Sequence, residues 1–404
     1  MKGLLTGGFF FTFRTPIRTI SDYFTLVIYE PVFHNMKKSL LLTFCIFINY
    51  LLQAQLLADT ESKQLIINGL DKLYNHEFKE ADVFFQKVKT KYPKHPVTPL
   101  LTALQIEWQH LPIDQNPKAL ALYTQSLEKC RVAAEPMLED DKLKPEATFF
   151  LLAAHGYTAL SHHYQKENMK AGKEALKAYD YLKDGFKFMD KNPEFYFTTG
   201  LYNFYRVQYP ETHPIVKPIM VFFGPGNKKA GLVQLETAIH KSLFSRVEAA
   251  YYFMGVNFKY ENNLAKATQY STWLHEKYPN NPIYSMRYVE AMVSNNKYDE
   301  VATLIQNLRK NPSVIYQISM NTFDGIAAEK IKKNDKLALH YYQNALKYKP
   351  EYEYTNDYYA MACCGIARIA LKGGDVKKAK EYYKKALEYA EYKSVIAEAK
   401  KFES

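Results

Sequence analysis

Along most of this chain, apolar positions recur with a helical period and in one order. A small residue is followed four positions later by a bulky one, and three later by another apolar or small one. The triplets are Ala81/Phe85/Val88, Ala119/Tyr123/Ser126, Ala175/Tyr179/Leu182, Gly231/Leu235/Ala238, Val301/Ile305/Leu308, Ala338/Tyr342/Ala345 and Ala379/Tyr383/Ala386. Ala267/Ser271/Leu274 fills the same slots between the fourth and the fifth. Offsets of four and three put the three residues on one helix face. From Gly231 onward the steps between units are 36, 34, 37 and 41 residues. The small residue lets two helices of a hairpin approach closely, and the bulky ones fill the groove to the next hairpin. One hairpin cannot bury such a face alone, so several must stack.

Glu248–Pro279 displays a whole unit. Tyr251, Met254, Gly255 and Phe258 share a helix face, Glu261-Asn262-Asn263 breaks the run, and a second helix runs through Ala267, Tyr270 and Leu274 to Pro279. Gly255, Ala267 and Pro279 stand twelve residues apart, as do Gly69, Ala81 and Pro93. With Ala338, Tyr342, Ala345 and Pro350, and with the second-helix pattern of Gly374–Ala390, these residues resemble the tetratricopeptide (TPR) family. The resemblance covers most of the chain after about Leu65. It implies an all-α fold, a right-handed α-solenoid of about eight TPR-like helix hairpins over 62–403. The units around Ala119, Ala175 and Val301 lack the first-helix glycine, which leaves their registers open.

Residues 1–35 are Phe- and Thr-rich and carry no repeat pattern; they read as a disordered extension ahead of the true start at Met36. Lys37-Lys38, the apolar run Leu40–Leu52 and Ala54 then have the anatomy of a secretory signal over 36–55. That run is shorter than the roughly 20 apolar residues that comfortably span a bilayer. The alternative is an uncleaved anchor through residues 40–57. The expected location is therefore the periplasm or cell envelope.

Charge adds little to this. The chain holds 53 Lys and Arg against 42 Asp and Glu, a net of +11. Removing residues 1–55 takes five basic and two acidic residues and leaves +8. The excess is lysine spread between acids along helices, which speaks against a nucleic-acid track. Cys130 and the adjacent Cys363-Cys364 are too few for a disulfide framework and read as small apolar packing residues.

Several local features invite chemistry and are better read as structure. His155 and His162 share a helix face between Ala147 and Gln165, with no third ligand at a matching spacing, so no metal site is expected. Glu139–Glu146 reads as an acidic loop, and the helix through Phe204 and Tyr205 should end near Tyr209-Pro210. About twenty extra residues follow, an insertion at about 209–228, because Ala175 to Gly231 is 56 residues. Long ordered insertions in compact arrays are often functional. The alternative is that Ile219, Val221, Phe222 and Phe223 plug a gap between repeats. Gly224-Pro225-Gly226 lacks the spacing and the Ser or Thr of a phosphate loop. No hydrolase, zinc-protease or EF-hand motif occurs, and acids sit singly beside lysines. No enzyme activity and no cofactor are expected.

A stacked array presents its first helices along a concave groove, where such arrays hold extended peptides or helices. Tyr252 and Lys259 lie one turn off the packing positions and should face that groove, with Tyr202, Tyr205 and Arg206 lining it near the insertion. The expected function is a non-enzymatic scaffold of the cell envelope that binds a partner protein or peptide, with peripheral association at the outer membrane allowed. The alternative is a carrier that binds glycan or polysaccharide through an aromatic groove.

Overall fold

A computed structural model describes residues 56–350 and 353–402. The extension, the signal over 36–55 and most of the anchor alternative lie outside the described residues. Within them the chain is all-α, with no strand. Eight consecutive helix pairs and a final helix account for most of it, with short helical turns between some of them, among them Pro214–Val216 and Lys217–Met220. The pairs are α1 (Thr60–Tyr74) with α2 (Phe78–Lys91), α3 (Val97–Gln109) with α4 (Pro117–Ala134), α5 (Lys144–Tyr164) with α6 (Asn168–Phe188), and α7 (Phe195–Thr212) with α8 (Lys228–Lys241). Then come α9 (Arg246–Lys259) with α10 (Leu264–Lys277), α11 (Pro282–Ser294) with α12 (Tyr298–Arg309), α13 (Val314–Lys330) with α14 (Asp335–Ala345), and α15 (Glu353–Lys372) with α16 (Val376–Leu387). The last helix is α17 (Lys393–Lys400). None of the described helices is long and apolar enough to cross a membrane.

The sequence closes these hairpins in a repeated way. In six of the eight pairs the turn holds one residue in the left-handed region, namely His76, Lys166, Asn262, Asn296, Lys333 and Gly374. Each turn also returns an amide to a carbonyl five residues back, as Glu77 N–H does to Lys72 O (2.9 Å) and Asp375 N–H to Ala370 O (2.9 Å). That is the Schellman closure of a helix C-terminus. The second helix is then started by a side-chain cap where the sequence offers one. Asn263 accepts from Lys266 N–H (3.2 Å), Asn334 from Leu337 N–H (2.9 Å) and Asp375 from Lys378 N–H (3.0 Å).

Seven of the eight small–bulky–small triplets are buried on the second helices. The exception is the one at Ala175, where Ala175 itself is exposed and Tyr179 half-buried; of the three only Leu182 is buried, and α6 turns Ala178 and Gly185 inward beside it. Register there slides by one turn because Lys173 and Lys177 flank Ala175, and a lysine pair is cheaper to leave in water than to bury. Close approach is real where a bulky second-helix residue faces a glycine. A Cβ on Gly69 would stand 2.4 Å from the Phe85 ring, and one on Gly365 2.2 Å from Tyr342. Gly255 has open space instead, since its partner slot holds the small Ser271.

Two further expectations are corrected. The helix α7 runs through Pro210 to Thr212. Pro210 falls in its last turn, where only one intrahelical bond is forfeited and His213 N–H still reaches Tyr209 O at 2.8 Å. The acidic stretch 139–146 is only partly loop: α5 already begins at Lys144, and Glu146 is buried against His95 at 3.2 Å. Cys130, Cys363 and Cys364 are free and buried.

Neighbouring helices pack in order, and α1, α3, α11, α13 and α15 also touch the helix two places on. One apolar core runs continuously from Leu56 to Ala399. The chain also curls back on itself. Asp71 of α1 pairs with Arg246 and accepts from Tyr278 Oη (2.6 Å), while Asn281 Nδ2 donates to Tyr74 O (2.9 Å). The first hairpin is thereby tied to the fifth and sixth.

Candidate functional site

That closure gathers side chains from the odd-numbered helices onto one inner face. It starts from a buried carboxylate with a purely structural task. Glu194, just before α7, accepts from the amides of Leu243, Phe244 (3.0 Å) and Ser245 (3.0 Å) and from Ser245 Oγ (2.8 Å). Those donors precede α9, so Glu194 fixes where α9 begins. Two residues into α9 stands Glu248. Tyr157 of α5 donates its hydroxyl to both Glu248 oxygens, at 2.9 and 3.2 Å. Glu107 of α3 lies close enough for the two negative charges to act on each other, and no hydrogen bond or ion pair reaches it.

Both carboxylates keep a little solvent access and are crowded by aromatic side chains. Trp108 meets Tyr74 edge-on at 5.0 Å and Tyr284 at 6.4 Å; Tyr251 lies 5.9 Å from Tyr284. Burial pushes the Glu107 carboxyl up to about 8, and the Glu248 charge adds to this. Burial likewise raises Glu248 to about 7, with the Tyr157 hydrogen bond opposing and the Glu194 charge reinforcing. Tyr74, Tyr157 and Tyr284 are held well above the ordinary phenol range, first by burial, so they stay neutral. No lysine or arginine pairs with Glu107 or Glu248. The expectation that acids sit singly beside lysines therefore fails at these two positions.

Chemically, the cluster offers two carboxylates whose ionisation burial holds back to near-neutral pH and that an entering cation would favour, with tyrosines close by. It suits an ammonium or guanidinium group. It offers no nucleophile with a base behind it. Among the described residues no group of three His, Cys, Asp or Glu side chains could hold a metal ion. His155 and His162 each spend Nδ1 on a separate carboxylate, Glu174 and Glu167, both at 2.6 Å.

The five residues expected to face a partner are dispersed. Tyr252 is 37% exposed, one turn beyond Glu248 and 5.7 Å from the Phe197 ring, beside the cluster. Tyr205 packs edge-on against Tyr260 at 6.1 Å. Tyr202 and Arg206 turn to the insertion: both donate to Gly224 O, at 2.6 and 2.9 Å. Lys259 is buried between Asp357 (2.7 Å) and Glu391 (3.0 Å). Glu107, Trp108, Tyr157 and Glu248 are the residues that sequence reasoning passed over. Their signal was present: each glutamate lies on a first helix, next to buried positions, with no lysine three or four residues away.

The inner face of the last hairpins differs. Here the segment after α16 lies across α9, α11 and α15. Glu391 engages Lys259 and Tyr260, Tyr392 bonds to Glu290 and Arg287, and Glu398 pairs with Arg368 at 2.8 Å. A cavity of about 380 Å³ remains beside it, lined in part by Phe258, Val293, Cys364 and Arg368.

No protein-family model matches this chain, and no curated protein matches it in sequence.

Proposed function

We propose that this protein is a non-enzymatic TPR-like scaffold of the cell envelope, and that its inner face holds a cationic segment of a partner protein. The single observation that carries this is the Glu107/Glu248 pair, which has tyrosine and tryptophan around it and no cation of its own. Eight stacked hairpins, seven of them with the small–bulky–small face buried, support the solenoid reading, and odd helices on the inside support a groove. A partner lysine or arginine entering there would restore the ionised state of both carboxylates and lie against Trp108 and Tyr284. An envelope location rests on the signal-like run from Met36, outside the described residues.

The aromatic lining favours a second reading, a glycan ligand stacked on Trp108. One experiment separates them. A photoreactive phenylalanine analogue replaces Tyr252 in the native host, and crosslinked material is mapped. Adducts to one partner protein beside a lysine or arginine support the peptide reading. Adducts to saccharide alone, or none above those from an analogue placed at the exposed Val83, overturn it.

A further inference from the structure

The insertion between α7 and α8 carries a feature that the inner-face reading leaves unused. One alternative is that it plugs a gap between repeats; among its described side chains Phe223 packs inward, with its ring 4.9 Å from Tyr179. Its neighbour Phe222 is 82% exposed, Val221 74% and Ile215 88%. Large apolar side chains this bare, three within eight residues, are costly in water and uncommon on a soluble surface.

The loop that shows them is held rigidly from beneath. Arg206 donates to three of its carbonyls, Gly224 O (2.9 Å), Met220 O (2.6 Å) and Phe223 O (3.3 Å). Tyr202 donates to Gly224 O, and Gly224 N–H donates to Tyr179 Oη at 2.9 Å. Gly226 lies so near Arg206 that a Cβ would stand 2.6 Å from the arginine Cβ. Pro214, Pro218 and Pro225 restrict the remaining backbone. Arg206 and Tyr202, expected to grip a partner, thus hold the loop that presents the apolar side chains.

Charge decides what the loop fits. Between Thr212 and Leu235 the chain has Lys217, Lys228 and Lys229 and no acid. Lys228 turns to Glu211 at 3.3 Å, while Lys217 and Lys229 are exposed. Bare apolar side chains on a short, braced loop with lysines beside them match the surface of an anionic bilayer: the side chains enter the acyl boundary and the lysines meet phosphates. We infer that the 213–229 loop is a membrane-docking element that inserts Ile215, Val221 and Phe222 into an anionic lipid surface.

The test reads residue 222 itself, whatever else holds the chain to a vesicle. The full chain carrying Phe222→Trp is mixed with phosphatidylglycerol/phosphatidylcholine vesicles whose acyl chains are brominated. The wild-type chain, with Trp108 and Trp273 partly buried, supplies the background. The expected result is a blue shift of the added emission and loss of more than half of it to bromine. Lys217→Glu with Lys229→Glu should then weaken vesicle partitioning roughly 10-fold or more, about fivefold per lysine. Emission that vesicles carrying the protein leave unshifted and unquenched would overturn the inference. So would emission that responds to a purified envelope protein and not to lipid.

Discussion

The inner faces of the early and late hairpins are both built from the first helices of their hairpins, and they treat buried charge in opposite ways. In the late half every buried carboxylate has a cation from the chain: Glu290 has Arg287 at 2.6 Å, Glu329 has Arg368 at 2.8 Å, Asp357 has Lys259, and Asp324 has Arg309. The segment after α16 completes these pairs. In the early half Glu107 and Glu248 have tyrosines and each other. A buried charge without a partner shifts its pKa rather than stay ionised. The difference teaches where the fold has finished its own electrostatics and where it has left them for another molecule.

The largest effect that sharpens this contrast belongs to the late half. Lys259→Ala leaves the buried Asp357 and the half-buried Glu391 without a counter-charge, and should cost about 3–5 kcal/mol, read as a lower urea midpoint. An unchanged midpoint would mean that the late charges are not a closed network.

Next is the early pair, where the sign runs the other way. Both carboxyls titrate higher in the folded chain than in the unfolded one, so their contribution is fully present below about pH 4.5. It is lost as pH rises through about 7 and about 8. Glu107→Gln with Glu248→Gln should therefore leave stability at about pH 4 nearly unchanged and raise it at pH 8.5 by roughly 1–3 kcal/mol. Melting curves at the two pH values check it; a loss at pH 8.5 would show the pair to be satisfied already.

Tyr157→Phe removes the hydroxyl that donates to both Glu248 oxygens and should cost about 1 kcal/mol at pH 8.5 and less at pH 5, where the carboxyl is neutral. Smallest is Tyr252→Ser, expected to move stability by no more than about 0.5 kcal/mol because the ring is already partly in water. The same change should still weaken partner binding, and unaltered binding would remove Tyr252 from the site.

The fold was far more legible in the sequence than the site, for a physical reason. A repeat writes its packing into local spacing, and Ala81/Phe85/Val88 and Ala379/Tyr383/Ala386 announce their helices without knowledge of any neighbour. Ala175 misled because its small–bulky–apolar pattern was compatible with two faces of α6, and only the lysines beside it reveal which is wet. Lys259 was placed in an open groove because nothing near it in sequence predicts Asp357 or Glu391, which come from the last hairpin and the segment after it. Glu107 and Glu248 suffer the same blindness in reverse. Each is an ordinary glutamate on its own helix, and becomes unusual only when α1 closes onto α11 and brings α3, α5 and α9 together.

The central claim is that the early inner face waits for a cation. It is tested most directly by calorimetric titration of the protein with a lysine- and arginine-rich peptide at pH 6.0 and at pH 8.5, alongside the double glutamine variant. The account predicts at least 10-fold tighter binding at pH 8.5, proton release at pH 6.0, and loss of both in the variant. Equal affinity at the two pH values, or full affinity in the variant, would contradict it.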